Sequence, residues 1–231
     1  MPPVFIAGGT GYMGQRLIPR LTAQGFAVHA LARPGSESRV PRGAEIVPGS
    51  ARDHRSYEVP QGATFVHLVG TPHPSPSKAQ QFREVDLPSL RESMAAARKA
   101  GTSHFIFVSV AHPAPVMRAY IEVRMECEAL IRDSGLNSTI LRPWYVIGPG
   151  HWWPLALKPF YWVGELIPAT RERSTRLGLV TLGQMVEALA AAASDPPVGV
   201  RIFDVPAIRR ATVKGDAIAI GRSGAHSSGA R

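Results

Sequence analysis

The sequence predicts an α/β fold, a doubly wound parallel sheet with helices on both faces and a small C-terminal portion that covers the substrate. Three observations carry that expectation. Over the first 142 residues short β-rich runs alternate with longer helical patterns, the signature of strands joined by crossover helices. The β-rich runs are continuously apolar, as strands buried on both faces require. A glycine-rich turn follows the first run and opens the first helical pattern, the context in which such turns hold phosphate.

The elements follow in order. "VFIA" (4 to 7) is the first strand, and a helix is expected near 12 to 24. "AVHALA" (27 to 32), "AEIV" (44 to 47) and "TFVHLV" (64 to 69) are the next three strands. A second helix near 78 to 100 leads to "HFIFVSV" (104 to 110), and a third near 115 to 134 leads to "STILR" (138 to 142). After Arg142 the character changes, because "PWYVIGPGHWWPLALKPFYWVGELIP" (143 to 168) holds all four tryptophans. "TLGQMVEALAAAAS" (181 to 194) reads as a helix opened by a capping box, Thr181 as cap and Gln184 three residues on. "GVRIFDVP" (199 to 206) is a last strand. The expected organisation is one domain over 1 to 208, with a substrate-covering segment within 143 to 198. Residues 209 to 231 are expected to be a disordered basic tail, rich in Gly, Ser, Ala and Arg without periodicity.

Composition narrows the function classes. Hydrophobic residues make up 45% and charged residues 19% of 231, a globular balance with enough chain for one substantial core. The formal charge is +9, which raises the question of nucleic acid. From Arg209 onward, however, the tail carries five cations against Asp216 alone, and the remaining cations are scattered. No nucleic-acid partner is expected. The single cysteine, Cys127, forbids an intrachain disulfide and fits a reducing compartment. The N-terminus lacks the basic region and cleavage site of a signal peptide, and no stretch approaches the ~20 apolar residues of a membrane span. A cytoplasmic location is expected. Eight histidines without ligand spacing predict no metal site; His67 and His104 read as strand residues with satisfied rings, His112 and His151 as loop residues near the cleft.

"VFIAGGTGYMGQRLIPRL" puts Gly8, Gly11 and Gly14 after the first strand and at the mouth of the first helix. In a dinucleotide site these glycines make the turn, let the backbone approach the pyrophosphate and pack helix on strand; the alternative is a structural turn. At the end of the second strand an acid would bond the ribose 2′-hydroxyl of NAD, whereas Arg33 suits the 2′-phosphate of NADP. NADP(H) is therefore favoured over NAD(H), with Arg39, Ser36 and Ser38 as helpers and a solvated turn arginine as the plain alternative. "YIEVR" places Tyr120 and Arg124 one helical turn apart, where neighbouring side chains meet. On the same helix Val116, Ala119, Val123, Cys127 and Leu130 form the expected core stripe, with Tyr120 and Arg124 at its edge.

With "GGTGYMG", "HLVG", "VDLPSL", "FIFVSV", "YIEVRMECEAL" and "LRPWYVIGPG" in this order, the chain resembles the atypical branch of the short-chain dehydrogenase/reductase superfamily. It is most similar there to the NAD(P)-binding NmrA-like and complex I accessory-subunit-like groups. The resemblance covers roughly residues 3 to 206 and implies a Rossmann-type domain. It carries the pyrophosphate loop to Gly8, Thr10, Gly11, Tyr12, Met13 and Gly14, and the strand end beside adenine and ribose to Leu68, Val69 and Gly70. The loop against the nicotinamide falls on Pro143, Trp144 and Tyr145. Catalytic serine and tyrosine fall on Ser109 and Tyr120, and Arg124 stands where the family has a lysine. Asp86 lies in the helix where relatives often have an asparagine that supports the site. An arginine keeps the lysine's charge but is a planar fork rather than a compact ammonium, and Glu128 at i+4 offers it a competing partner.

The implied chemistry is NADP(H)-dependent oxidoreduction of a small apolar carbonyl substrate, with Tyr120 supplying a proton to the oxygen that Ser109 holds. The alternative is a non-catalytic nucleotide-sensing or assembly protein with a protein partner. The aromatic segment reads as a pocket wall, as a patch for peripheral membrane contact, or as core.

Overall fold

The computed structural model describes residues 1–72, 74–114, 116–149 and 178–211. Seven strands form one sheet: β1 (Val4–Ala7), β2 (Val28–Ala32), β3 (Ala44–Pro48), β4 (Thr64–His67), β5 (His104–Val108), β6 (Ser138–Leu141) and β9 (Val200–Phe203). Their order is β3-β2-β1-β4-β5-β6-β9, and every pairing is parallel. The order reverses between β2-β1 and β1-β4. That switch point is where open α/β sheets bind ligands, outside the carboxyl ends of the strands. Two shorter strands, β7 (Tyr145–Ile147) and β8 (Leu179–Thr181), form a separate parallel pair that the sequence did not announce.

Alternation along β1 shows why the runs are continuously apolar. Val4 and Ile6 pack into one cluster with α1 (Gly14–Ala23) and the C-terminal helix, here α5 (Leu182–Ser194). Phe5 and Ala7 pack into the other, with α3 (Leu87–Lys99) and α4 (Arg118–Asp133). Phe5, Phe65 and Phe105 stand in register on β1, β4 and β5, with ring centroids 5.1 and 5.2 Å apart. Rings at that spacing and tilt add favourable quadrupole contacts to their burial.

α1 forms although Pro19 lies inside it. A proline there removes a backbone hydrogen bond, but Leu17, Ile18 and Leu21 are fully buried on the sheet, and that packing holds the helix. The second long helix is interrupted: α2 (Ala79–Gln81) runs into a π-helical turn, Phe82–Asp86, and then into α3. α5 opens with the expected capping box, both halves present.

Two expectations are corrected. The stripe on α4 does not begin at Val116, which is half exposed, because the helix starts only after Met117, a non-glycine residue at φ 60°. The buried positions are Ile121, Val123, Arg124, Cys127, Glu128 and Ile131, so Arg124, expected at the edge, lies inside together with Glu128. The tail boundary at 209 falls inside a helical segment over 205–211, in which Ile208 is buried and Arg209 donates to the Leu179 carbonyl at 2.7 Å. Trp152, Trp153, Trp162, His151 and the tail beyond 211 lie outside the described residues.

Candidate functional site

The glycine loop leaves β1 and closes on itself, the Gly11 amide donating to the Gly8 carbonyl at 3.0 Å. Gly8 has φ +96°, a left-handed conformation that favours glycine, and a Cβ there would meet the Leu68 backbone at 2.9 Å. At Gly14 a Cβ would overlap the Gly8 carbonyl oxygen and meet the Gly9 Cα at 2.6 Å. The start of α1 and the loop leaving β1 therefore touch backbone to backbone, as a dinucleotide loop requires. No side chain caps α1, its cap being Met13, and its first turn has no acid. The first-turn amides and the positive end of the helix dipole suit an anion. The donor set fits a pyrophosphate, with Thr10, Gly11, Tyr12 and Met13 forming the turn.

Arg33 is exposed just past β2. Arg39 is tied to the loop itself: its Nη2 donates to the Thr10 carbonyl at 3.1 Å, and Gln15 Nε2 donates to the carbonyls of Thr10 and Arg39, both at 3.3 Å. Leu68, Val69 and Gly70 follow the end of β4 beside the loop, the Leu68 amide donating to the Ala7 carbonyl at 2.8 Å. Pro143 is buried after β6, where its carbonyl accepts from the Ala111 amide at 2.8 Å.

Tyr120 and Arg124 lie on α4 against the π-helical turn. The Tyr120 ring packs on Phe82 at 4.9 Å, and the Arg124 guanidinium stands over the Tyr120 and Phe107 rings at 5.1 and 5.4 Å. Arg124 is only 6% exposed. It donates to the Val108 carbonyl at 3.1 Å and lies 3.6 Å from the Asp86 carboxylate. Its competing partner is thus not Glu128. Burial works against its charge, but the Tyr120 oxygen and Asp86 outweigh that and raise its pKa, so it is a permanent cation. Asp86 accepts from the Thr71 amide at 2.6 Å. Burial raises its pKa despite Arg124 and Thr71.

Ser109 follows Val108, whose carbonyl binds Arg124, and its own hydroxyl is engaged by another residue of α4. Its hydroxyl donates to Glu128 Oε1 at 2.6 Å, and Glu128 lies two turns of α4, about 12 Å along the axis, beyond Tyr120. Glu128 is fully buried and also receives Arg142 Nε at 2.9 Å, a second short bond from Arg142 Nη2, and Arg132 at 2.7 Å, with His112 Nε2 at 3.4 Å. Burial would raise its pKa, but His112, Arg142 and Ser109 hold the carboxyl far below its usual range. With its one hydrogen spent on a carboxylate, Ser109 has only lone pairs to offer a ligand.

His67 meets Ser93 at 3.0 Å through Nδ1, and His104 meets Thr139 at 2.9 Å through Nε2. Cys127 is buried, and burial pushes its thiol up to about 12. The fold also brings together Asp53, His54 and Glu92, whose ligand atoms lie within 4.8 Å of one another, a grouping that linear spacing cannot reveal. Their bonds are internal: Glu92 accepts from the His54 amide at 2.9 Å and lies 2.6 Å from its Nδ1, and Asp53 accepts from Arg55. Sequence reading also passed over Gly9, whose Cβ would meet the Ala30 Cβ at 3.0 Å, and Gly148, whose Cβ would overlap the Tyr12 hydroxyl. Neither has a spacing signal. Among the described residues no helix is long and apolar enough to cross a membrane.

Comparison with known proteins agrees with this geometry. A curated relative, the "Ceramide reductase" of Caulobacter vibrioides, is 26% identical over 207 residues, 87% of this chain. The chain spans 64% of that relative's length. Among solved structures, the Bordetella bronchiseptica enzyme WbmH, in complex with NAD+, superposes with a TM-score of 0.63 at 17% identity, covering 94% of this chain and 82% of that one. A short-chain dehydrogenase/reductase superfamily protein from Agrobacterium tumefaciens with bound NAD gives 0.61 at 18% identity, covering 90% and 80%. The family model described as NAD(P)H-binding matches residues 8–148, from the glycine loop to the end of β7. The chain belongs to this NAD(P)H-binding family and shares its Rossmann-type fold with those solved structures.

Proposed function

We propose that this protein is an NADP(H)-dependent oxidoreductase acting on an apolar carbonyl substrate. The observation that carries the reading is the permanent, buried Arg124 cation over the Tyr120 ring, beside Gly70 at the carboxyl end of the sheet. A bound nicotinamide supplies or takes the hydride. Tyr120 gives a proton to the substrate oxygen, and Arg124 offers positive charge to the phenol oxygen as it loses that proton. Ser109 serves as a positioning hydroxyl through Glu128 rather than as the donor to substrate. Arg33 and Arg39 provide charge for a 2′-phosphate. The name of the Caulobacter vibrioides relative supports an apolar, lipid-like carbonyl compound. The domain over 1 to 208 would bind the cofactor, with 143 to 198 covering the substrate.

A second reading has its own observation. Ser109 is committed to Glu128 and a guanidinium replaces the ammonium, which favours a nucleotide-sensing or assembly protein of the NmrA-like or complex I accessory type. The experiment is a tryptophan-fluorescence titration with NADPH and NADH on the wild type and Arg33→Ala, followed by a carbonyl screen. Tighter NADPH binding, weakened about tenfold or more by Arg33→Ala, and turnover reduced about 10²- to 10⁴-fold by Tyr120→Phe, support the oxidoreductase. Binding of both nucleotides without hydride transfer, together with a protein partner in pull-downs, supports the second reading.

A further inference from the structure

Outside the residues of the nucleotide site, a short turn and a helix bring three metal-binding side chains together. The turn, His54–Ser56, follows β3 and has Asp53 as its cap; the third residue, Glu92, comes from α3, 38 positions after His54. Ser56 ties the turn, its hydroxyl donating to the Asp53 carbonyl at 2.7 Å and accepting from the Ser50 amide at 2.9 Å. Asp53 accepts from the Arg55 amide through Oδ1, one of its two oxygens. His54 Nδ1 lies 2.6 Å from Glu92 Oε2, and one ligand atom from each of the three residues lies within 4.8 Å of the others. The Arg55 charge acts on Glu92, but two carboxylates outnumber it, so the group attracts a cation. Asp53 is exposed and the other two are half-buried, which leaves the group open to an ion from solvent.

A buried phenol points the same way. Tyr57 is 5% exposed, its ring stacks on Phe5 at 5.5 Å, and its hydroxyl has no hydrogen-bond partner among the described residues. The Ser93 hydroxyl, which acts on it, is engaged by His67. Tyr57 and His54 line the same cavity, about 180 Å³, with Gln61, Ala96 and Lys99. Burial pushes the phenol up to about 12, with Ser93 opposing and the Glu92 and Asp53 charges adding, so the hydroxyl keeps its proton and is a donor. A buried donor without an acceptor is costly, and a water held on an ion at the cluster supplies one.

We propose that Asp53, His54 and Glu92 bind a zinc-type divalent ion, with a water as the fourth ligand that accepts from Tyr57. Three protein ligands and a water are a recurring zinc arrangement, and an imidazole among the donors favours zinc over magnesium and calcium, which take oxygen. Ligand atoms of one tetrahedral zinc stand roughly 3.4 Å apart, so the ion replaces the His54–Glu92 hydrogen bond: Nδ1 gives its lone pair to the metal, and the neutral ring keeps its proton on Nε2. Bound only by the folded chain, the ion stabilises it by joining the turn after β3 to α3. None of this depends on the nucleotide reading.

The test titrates the metal-stripped full chain with Zn²⁺ by calorimetry and follows its thermal unfolding with Zn²⁺ and with EDTA. The wild type is expected to take up one ion per chain at its tightest site and to gain a higher thermal midpoint that EDTA reverses, with Mg²⁺ at equal concentration giving no rise. His54→Gln removes the imidazole, and Glu92→Gln keeps an acceptor for the His54 amide; each is expected to weaken that site about tenfold or more. Asp53→Asn keeps the cap and serves if Glu92→Gln does not unfold cooperatively. Tyr57→Phe keeps the stacked ring and is expected to weaken Zn²⁺ about tenfold. A wild type that binds Zn²⁺ no more tightly than His54→Gln would overturn the proposal and leave the three residues as a hydrogen-bonded anchor for the turn. Equal affinity in the wild type and Tyr57→Phe would also overturn it, because an adventitious surface chelate has no need of the buried phenol. So would a rise with Mg²⁺ equal to that with Zn²⁺, which marks unselective screening of the carboxylates.

Discussion

Arg124 and Glu128 lie one turn apart on the same helix, and the sequence offered them to each other. The fold gives each a different partner, Asp86 for the arginine and Arg132, Arg142 and Ser109 for the glutamate. A buried charge is tolerated only when paired and hydrogen-bonded, and those partners come from elements that linear spacing cannot see. His67 illustrates the same limit. As an expected strand residue it is unremarked, but burial first, and the Arg124 charge second, depress its pKa to about 3; burial, then Arg201, takes His104 to about 4. The sign is that of groups held neutral in the fold. The unfolded chain takes up protons as pH falls through 6.5 while the native state resists until about 3 and about 4, so stability falls across that window. His67→Gln keeps an amide for Ser93 and does not titrate; urea midpoints measured from pH 7 to pH 4 are expected to fall less steeply in that variant than in the wild type.

At the scale of elements, most helices and strands were legible because their signals are local. The capping box of α5 needs only Thr181 and Gln184: Thr181 Oγ1 accepts from the Gln184 amide at 3.1 Å, and Gln184 Oε1 accepts from the Thr181 amide at 2.8 Å. Thr181→Ala is expected to cost about 1 kcal/mol, read as a lower thermal midpoint with an unchanged cooperative transition. What local signals missed were irregularities set by packing. The start of α4 moved to Arg118 because Met117 adopts a left-handed conformation, and strain of that kind is kept only where the surroundings impose it. The π-helical turn was invisible for the same reason. Its residues have ordinary helical propensities, and Phe82 and Asp86 within it meet Tyr120 and Arg124 across the interface.

At the scale of the whole molecule, the sheet order creates a switch point at β1 and β4, and the glycine loop lies there with Gly8 against Leu68. A ligand bound only by the native state stabilises it by mass action, about 2.7 kcal/mol at a hundredfold excess over Kd. NADPH at that excess is expected to raise the thermal midpoint of the wild type. In Gly14→Ala the added methyl presses on the Gly8 and Gly9 backbone, and both the unliganded midpoint and the NADPH-induced rise are expected to shrink. A full NADPH-induced rise in Gly14→Ala would detach the glycine loop from the cofactor site. The sequence by itself determined the layered parallel sheet, the order of its elements, the glycine turn and the capping box, because apolar periodicity and backbone constraints act over a few neighbouring residues. Only the tertiary structure decided which charges are buried and with whom: Asp86 with Arg124, and Glu128 with Arg142 and the Ser109 hydroxyl. The sign and depth of those interactions depend on desolvation and on partners brought from distant elements, which no local pattern encodes.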